Sequence, residues 1–188
     1  MIADHDRSGW FGASDTAMIM GNWNTKSFSN WWKKKLGIDH SHFTNTAMLA
    51  GTYYEHAILK TIGAGEMDKQ LFVPDLRLRV NLDGNTGHRI HEVKTYKLAS
   101  CKAQWKPTKA YVEQVQVQMF AARENGWKDV SAEIVGYGLE EEDYVNFFRE
   151  IDKRRISRFV QVEDPIFVSG YLKKLEYLAR CLERGVWP

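Results

Sequence analysis

Cysteine is scarce in this sequence: Cys101 and Cys181 are the only two in 188 residues, and they form no CxxC pair. That excludes a disulfide framework and a zinc knuckle, and it points to a reducing compartment. Proline is also scarce, with 4 residues, and no low-complexity tract, repeat or proline-rich linker divides the chain. No apolar run approaches the roughly 20 residues that cross a bilayer, and no charged-then-apolar leader opens the sequence. A cytoplasmic protein is expected. Neither sign of charge dominates, since the formal net charge is +2, so any surface for a polyanion must be local.

What is present suits an ordinary folded unit. Hydrophobic residues make up 44% and charged residues 27%, and 188 residues can bury a core without staples, so a single domain is expected. Aromatic residues are plentiful at 13%, with 7 Trp, and serve either as core or as stacking platforms.

Chemistry concentrates at Asn81-Leu82-Asp83-Gly84 and the stretch Arg89 to Tyr96. Leu76 to Leu82 alternates apolar and polar residues, and Ile90 to Tyr96 is again strand-like, which sets Asp83 between two adjacent antiparallel strands. Alternation along a strand puts Glu92 and Lys94 on one face and Val93 on the other. Carboxylates of Asp83 and Glu92 can hold Mg2+ or Mn2+, and a lysine beside the ion can orient or deprotonate a water. Taken alone, the stretch fits an ordinary Asp-Gly hairpin turn with an exposed charge pair equally well.

The flanking segments add candidates. Ser14 reads as the N-cap of a short helix from Asp15 to Met20, with Arg7 upstream; both can meet a phosphate, and plain capping is the commoner use. A helix over roughly Ser29 to Leu36 carries Lys33, Lys34 and Lys35, a pattern that usually marks a solvated face. Thr44 or Asn45 opens a longer helix to Ile62, with Met48, Leu49, Tyr53, Ala57 and Ile58 as its inner side. On that helix Glu55 follows Gly51 by one turn, which leaves room beside the acid. Leu71 to Val73 reads as a short strand. Lys97, Lys102 and Trp105 lie in a basic loop that suits a nucleic-acid backbone or simply a mobile surface. The next helix, from Lys109 or Ala110 to Glu124, has Tyr111, Val115, Met119 and Ala122 inside, and an odd concentration of amides at Gln114, Gln116 and Gln118. Ser131 to Tyr137, Tyr144 to Ile151 and Ile156 to Val162 read as strands. Asp164-Pro165 starts a final helix with Phe167, Tyr171, Leu175, Leu178 and Leu182 on one stripe.

Together these segments resemble the PD-(D/E)XK nuclease superfamily, and within it the lambda exonuclease, or YqaJ-type viral recombinase, family. Arg7 with Gly12-Ala13-Ser14-Asp15 is similar to that family's 5'-phosphate motif, and Gly51 to Glu55 to its helical glutamate motif. Asn81 to Gly84 resembles its metal aspartate, Glu92-Val93-Lys94 its ExK strand, and Tyr111 to Gln116 the helix whose first glutamine completes the site. Leu82-Asp83 stands where the wider superfamily has Pro-Asp. The resemblance implies an α/β fold with a central mixed sheet flanked by helices, and a Mg2+-dependent deoxyribonuclease, for which Mn2+ can substitute. The implied activity is 5'-to-3' digestion from double-stranded DNA ends in recombination. Asp83, Glu92 and the Val93 carbonyl would hold the first ion, and Glu55 with Asp83 a second. Lys94 and Gln114 would serve the attacking water, Arg7 and Ser14 the 5'-phosphate, and Lys97, Lys102 and Trp105 the DNA. The implied partners are a single-strand annealing protein and copies of the same chain in a trimer. A same-fold endonuclease and a non-catalytic DNA-end or protein-binding module are the alternatives.

Overall fold

The computed structural model describes residues 8–41, 45–101 and 103–188. Its helices are α1 (Thr16–Met20), α2 (Lys26–Lys35), α3 (Thr46–Ile62), α4 (Lys109–Glu124) and α5 (Pro165–Glu183). The strands are β1 (Glu66–Val73), β2 (Leu78–Thr86), β3 (Arg89–Lys97), β4 (Ser131–Leu139) and β5 (Ile156–Gln161). Among the described residues they form one five-stranded sheet in the order β1-β2-β3-β4-β5. The β3 and β4 pair is parallel and the other pairs are antiparallel, which makes the sheet mixed, as expected. Helix α4 is the crossover that a parallel pair requires.

Local chemistry sets the ends of these elements. Asn45 caps α3 by accepting from the Met48 amide at 2.9 Å, and Gly63, at φ 79°, closes it in the left-handed region that glycine tolerates. Asp164 accepts from the amides of Ile166 and Phe167, and Pro165 occupies the first turn of α5.

Two cores flank the sheet, in the layered manner of α/β folds. Leu78, Val80, Leu82, Ile90, Ala132 and Ile134 pack with α4 and α5 on one face. Val93, Val135, Tyr137 and Leu139 pack with Ala50, Tyr54, Ile58 and Leu59 of α3 on the other. The inner face of α3 therefore differs from the expected one: Met48, Leu49 and Tyr53 are exposed. The sequence carries two apolar stripes one residue apart, which a helix turns about 100° from each other, and periodicity alone does not choose between them.

The expected strand from Tyr144 to Ile151 is absent, and a short 3-10 turn, Glu141–Tyr144, followed by irregular chain takes its place. Buried Asp143 organises this segment, accepting from the Glu140 amide (2.8 Å), Arg149 (2.9 Å) and Arg155 (2.6 Å). Val145 and Phe148 are left 87% and 89% exposed, while Tyr144, Phe147 and Ile151 pack against the core on the α3 side, a spacing that does not alternate as a strand would.

Next to the future site, buried His91 bridges Thr86 (2.9 Å) and Glu133 (2.7 Å), and Arg158 grips the same Glu133 through Nε (3.0 Å) and Nη2 (2.6 Å). Burial opposes the Glu133 charge, but the hydrogen bonds from His91 and Arg158 outweigh it and hold its pKa down to about 2. A depressed carboxylate stabilises the fold fully above its unfolded pKa, about 4.3, and the gain is lost as pH falls toward 2. Denaturation of Glu133→Gln and parent across pH should thus show a gap at pH 7 that closes between pH 4.5 and 2. A constant gap would contradict this linkage.

Candidate active site

Strands β2 and β3 pair only through Gly84↔His91, Asn85↔Ile90 and Thr86↔Arg89. Beyond Gly84 they part, and the Asp83 carboxylate fills the gap, its Oδ2 accepting from the Val93 amide at 2.8 Å. Asp83-Gly84 thus lies inside β2, and the hairpin turn falls at Gly87 and His88. Glu92 and Lys94 share a face, as strand alternation requires, and Lys94 Nζ donates to Glu92 Oε1 at 2.5 Å. Helix α4 lies against that face. Gln114 donates to Glu92 Oε1 at 2.6 Å and Gln118 to Glu92 Oε2 at 2.5 Å. The Lys94 ammonium also sits 5.0 Å from the Tyr111 ring centroid, a cation-π contact.

The electrostatics are those of anions crowded in a site with little water. Burial, then the Glu92 and Glu55 charges, push Asp83 well above the usual carboxylate range. Burial and the Glu92 charge raise Glu55 to about 7. For Lys94 burial acts in the opposite direction, yet the Glu92 and Asp83 carboxylates prevail and raise its pKa, so it is a firmly held cation. An all-oxygen set of carboxylates that resist losing their protons fits a hard divalent cation, which would supply the missing positive charge.

A cavity of about 850 Å³ opens beside this cluster, lined by Gly51, Glu55, Lys94, Tyr96, Lys97 and Tyr144 among others. Gly51 lets α3 lie close to β3 here, because a Cβ there would stand 3.2 Å from Thr95 Oγ1. A second group of ligand-type atoms, from Glu55, His56 and Asp68, lies on the flank, with His56 Nε2 3.1 Å from Asp68 Oδ2.

The other sequence candidates fall elsewhere or take other partners. Arg7 and Lys102 lie outside the described residues. Ser14 is exposed within the 3-10 turn Ala13–Asp15 and does not act as an N-cap. Asp15 organises that turn: it accepts from the Gly12 amide and Trp31 Nε1, both at 2.8 Å, and pairs with buried Lys35 at 2.5 Å. Lys35 is therefore no solvated lysine. Lys97 lines the cavity and pairs with Glu141 at 2.5 Å. Trp105 stacks on Tyr96, 5.0 Å between centroids, and its ring occupies the space left by Gly136, where a Cβ would come within 2.3 Å. That packing takes one face of the ring.

Gln118 escaped prediction as a site residue, although its one-turn spacing from Gln114 was the available signal. Its side chain is wholly buried and its Oε1 has no partner, at a cost of about 1–3 kcal/mol that the fold must offset elsewhere.

A mixed sheet that parts at an aspartate, with an ExK strand beside it, defines the PD-(D/E)XK nuclease fold. The YqaJ-like viral recombinase domain matches residues 4–125, and the chain belongs to that family. Among solved structures, LHK-Exo in complex with dAMP superposes with a TM-score of 0.68 at 19% identity, covering 95% of this chain and 90% of that one. The alkaline exonuclease LHK-Exo from Laribacter hongkongensis gives 0.58 at 20% identity, with 95% and 93% covered. A phage-related exonuclease from Haemophilus somnus 129PT gives 0.59 at 16% identity, with 92% of each chain covered. No curated protein sequence matches significantly.

Replacing Asp83 with Asn keeps an acceptor for the Val93 amide and removes a carboxyl whose ionisation burial, Glu92 and Glu55 oppose. In EDTA the variant should melt about 2–4 °C above the parent, the shift that about 1 kcal/mol gives at this size. Adding Mn2+ should raise the melting temperature of the parent and leave that of Asp83→Asn unchanged; a parent indifferent to Mn2+ would contradict the cation fit.

Proposed function

We propose that the protein is a Mg2+-dependent deoxyribonuclease that digests double-stranded DNA ends in the 5'-to-3' direction and leaves single strands for recombination. The observation that carries this reading is the meeting of Asp83, Glu92 and Glu55 with the Lys94 ammonium, beside a cavity that Glu55, Val93 and Lys94 line. Family membership sets the class of chemistry, and the residues present assign the roles.

Asp83, Glu92 and the Val93 carbonyl would hold one cation, and Glu55 with Asp83 a second; Mn2+ can replace Mg2+. Bound there, the cation supplies a water of lowered pKa and offsets charge on the phosphate. Lys94, paired with Glu92, would orient that water and face the developing phosphate charge. Gln114 steadies the Glu92 oxygen that Lys94 shares. Arg7 and Ser14 receive the terminal 5'-phosphate, and Lys97 and Lys102 lie along the DNA. A single-strand annealing protein, further copies of this chain in a trimer, and the cytoplasm of a phage-carrying bacterium complete the proposal.

Four substrates test it: linear duplex with and without a 5'-phosphate, single-stranded DNA, and closed circles, each with Mg2+ or EDTA. The 5'-phosphorylated duplex should be consumed from its ends only with Mg2+, and the circles should survive. Cleavage of closed circles would replace the end-directed reading with an endonuclease. Lys94→Met should lower kcat by roughly 10² to 10³ while DNA affinity is kept, the usual loss for one preorganised stabilising group. Full activity in that variant would remove Lys94 from the chemistry.

A further inference from the structure

We propose that Gln118 is a positioning residue of the ion site, which holds Glu92 so that its carboxylate meets a divalent cation through Oε2 alone. The inference rests on the reading that Asp83 and Glu92 bind such a cation.

An ionised carboxylate offers about four accepting directions, two on each oxygen. On Glu92 the Oε1 pair is filled by Lys94 Nζ at 2.5 Å and Gln114 Nε2 at 2.6 Å. Gln118 Nε2 fills one direction on Oε2 at 2.5 Å. One direction remains, and it belongs to Oε2. A cation that binds Glu92 without displacing a donor therefore binds Oε2, along the one direction that Gln118 leaves open. Were that amide lost, Oε2 would offer two directions instead of one, and the carboxylate would lose its fully buried anchor.

Gln114 and Gln118 differ in how replaceable they are. Gln114 is partly open to solvent, so water can take its place on Oε1. Gln118 is 0% exposed on a helix whose neighbouring positions, Val117 and Met119, are also buried, and no water reaches it from outside. The unpartnered Oε1 of Gln118 bears on the same point. Only Nε2 can face an ionised Glu92, since turning the amide over would set two oxygens against each other. Covalent geometry then keeps Oε1 within about 5 Å of Glu92 Oε2, so the orientation of the amide follows from the charge it faces.

Gln116 is the natural control on this helix. Its Nε2 donates to the Val162 carbonyl at 2.9 Å and its Oε1 accepts from the Asp164 amide at 2.7 Å, which ties α4 to the start of α5. That role is structural and remote from Glu92.

The test is the Mn2+ dissociation constant of the full chain without DNA, measured by electron paramagnetic resonance alongside melting in EDTA. Gln118→Met should weaken Mn2+ binding about 10- to 100-fold, as loss of a ligand's hydrogen-bond partner does elsewhere. Its melting temperature in EDTA should stay close to that of the parent. Gln116→Met should show the reverse, lowered melting and parental Mn2+ affinity. If Gln118→Met does not fold, Gln118→Asn, whose amide falls one methylene short of Glu92, should show the same weakening. Mn2+ affinity within twofold of the parent in the folded variant overturns the role of Gln118 and leaves the ion site standing. A parent that binds no Mn2+ overturns the ion site itself, and the role of Gln118 with it.

Discussion

The contact on which the rest of the site depends is the one between the Asp83 carboxylate and the Val93 amide. A sheet normally satisfies that amide with a neighbouring carbonyl, but here β2 and β3 have already parted and a side chain does the work. The gap lets residues from both faces approach one another. Glu55 comes from α3 on one side, while Glu92, Lys94 and the glutamines of α4 come from the other. Without that local failure of pairing the two cores would be sealed apart, and no side chain of α3 would feel the charge on Glu92.

Charge is used economically throughout the molecule. The near-neutral total hides cations that are committed internally: Lys35 to Asp15, Arg158 to Glu133, Arg149 and Arg155 to Asp143, Lys94 to Glu92. Several of these pairs are buried at one end at least, where a missing partner costs more than the pair gains. What the internal pairing leaves over is a negative excess at Asp83, Glu55 and Glu92. Lys94 offsets it in part, and a divalent cation suits the remainder.

Much of this could be read from the sequence, for identifiable reasons. Glu92 and Lys94 share a face because strand alternation leaves no choice, and Asn45 and Asp164 cap their helices because short polar side chains at those positions meet free amides. The limits have reasons as well. Periodicity could not separate two adjacent apolar stripes on α3. The Asp143 hub defeated a strand pattern, because its partners, Arg149, Arg155 and Tyr54, are distant in sequence or unremarkable in type. Lys35 looked like one of three solvated lysines until folding brought Asp15 within reach. Gln118 was visible as a spacing, but its pairing with Glu92 exists only once α4 lies across β3.

The central claim is that the gap between β2 and β3 holds a divalent cation. Crystals soaked in Mn2+ test it most directly, through the anomalous difference map. The account predicts a peak at about 2.1 Å, a typical oxygen-ligand distance for such an ion, from a carboxylate oxygen of Asp83, from Glu92 Oε2 and from the Val93 carbonyl. A peak confined to His56 and Asp68, or none near Asp83, would contradict it.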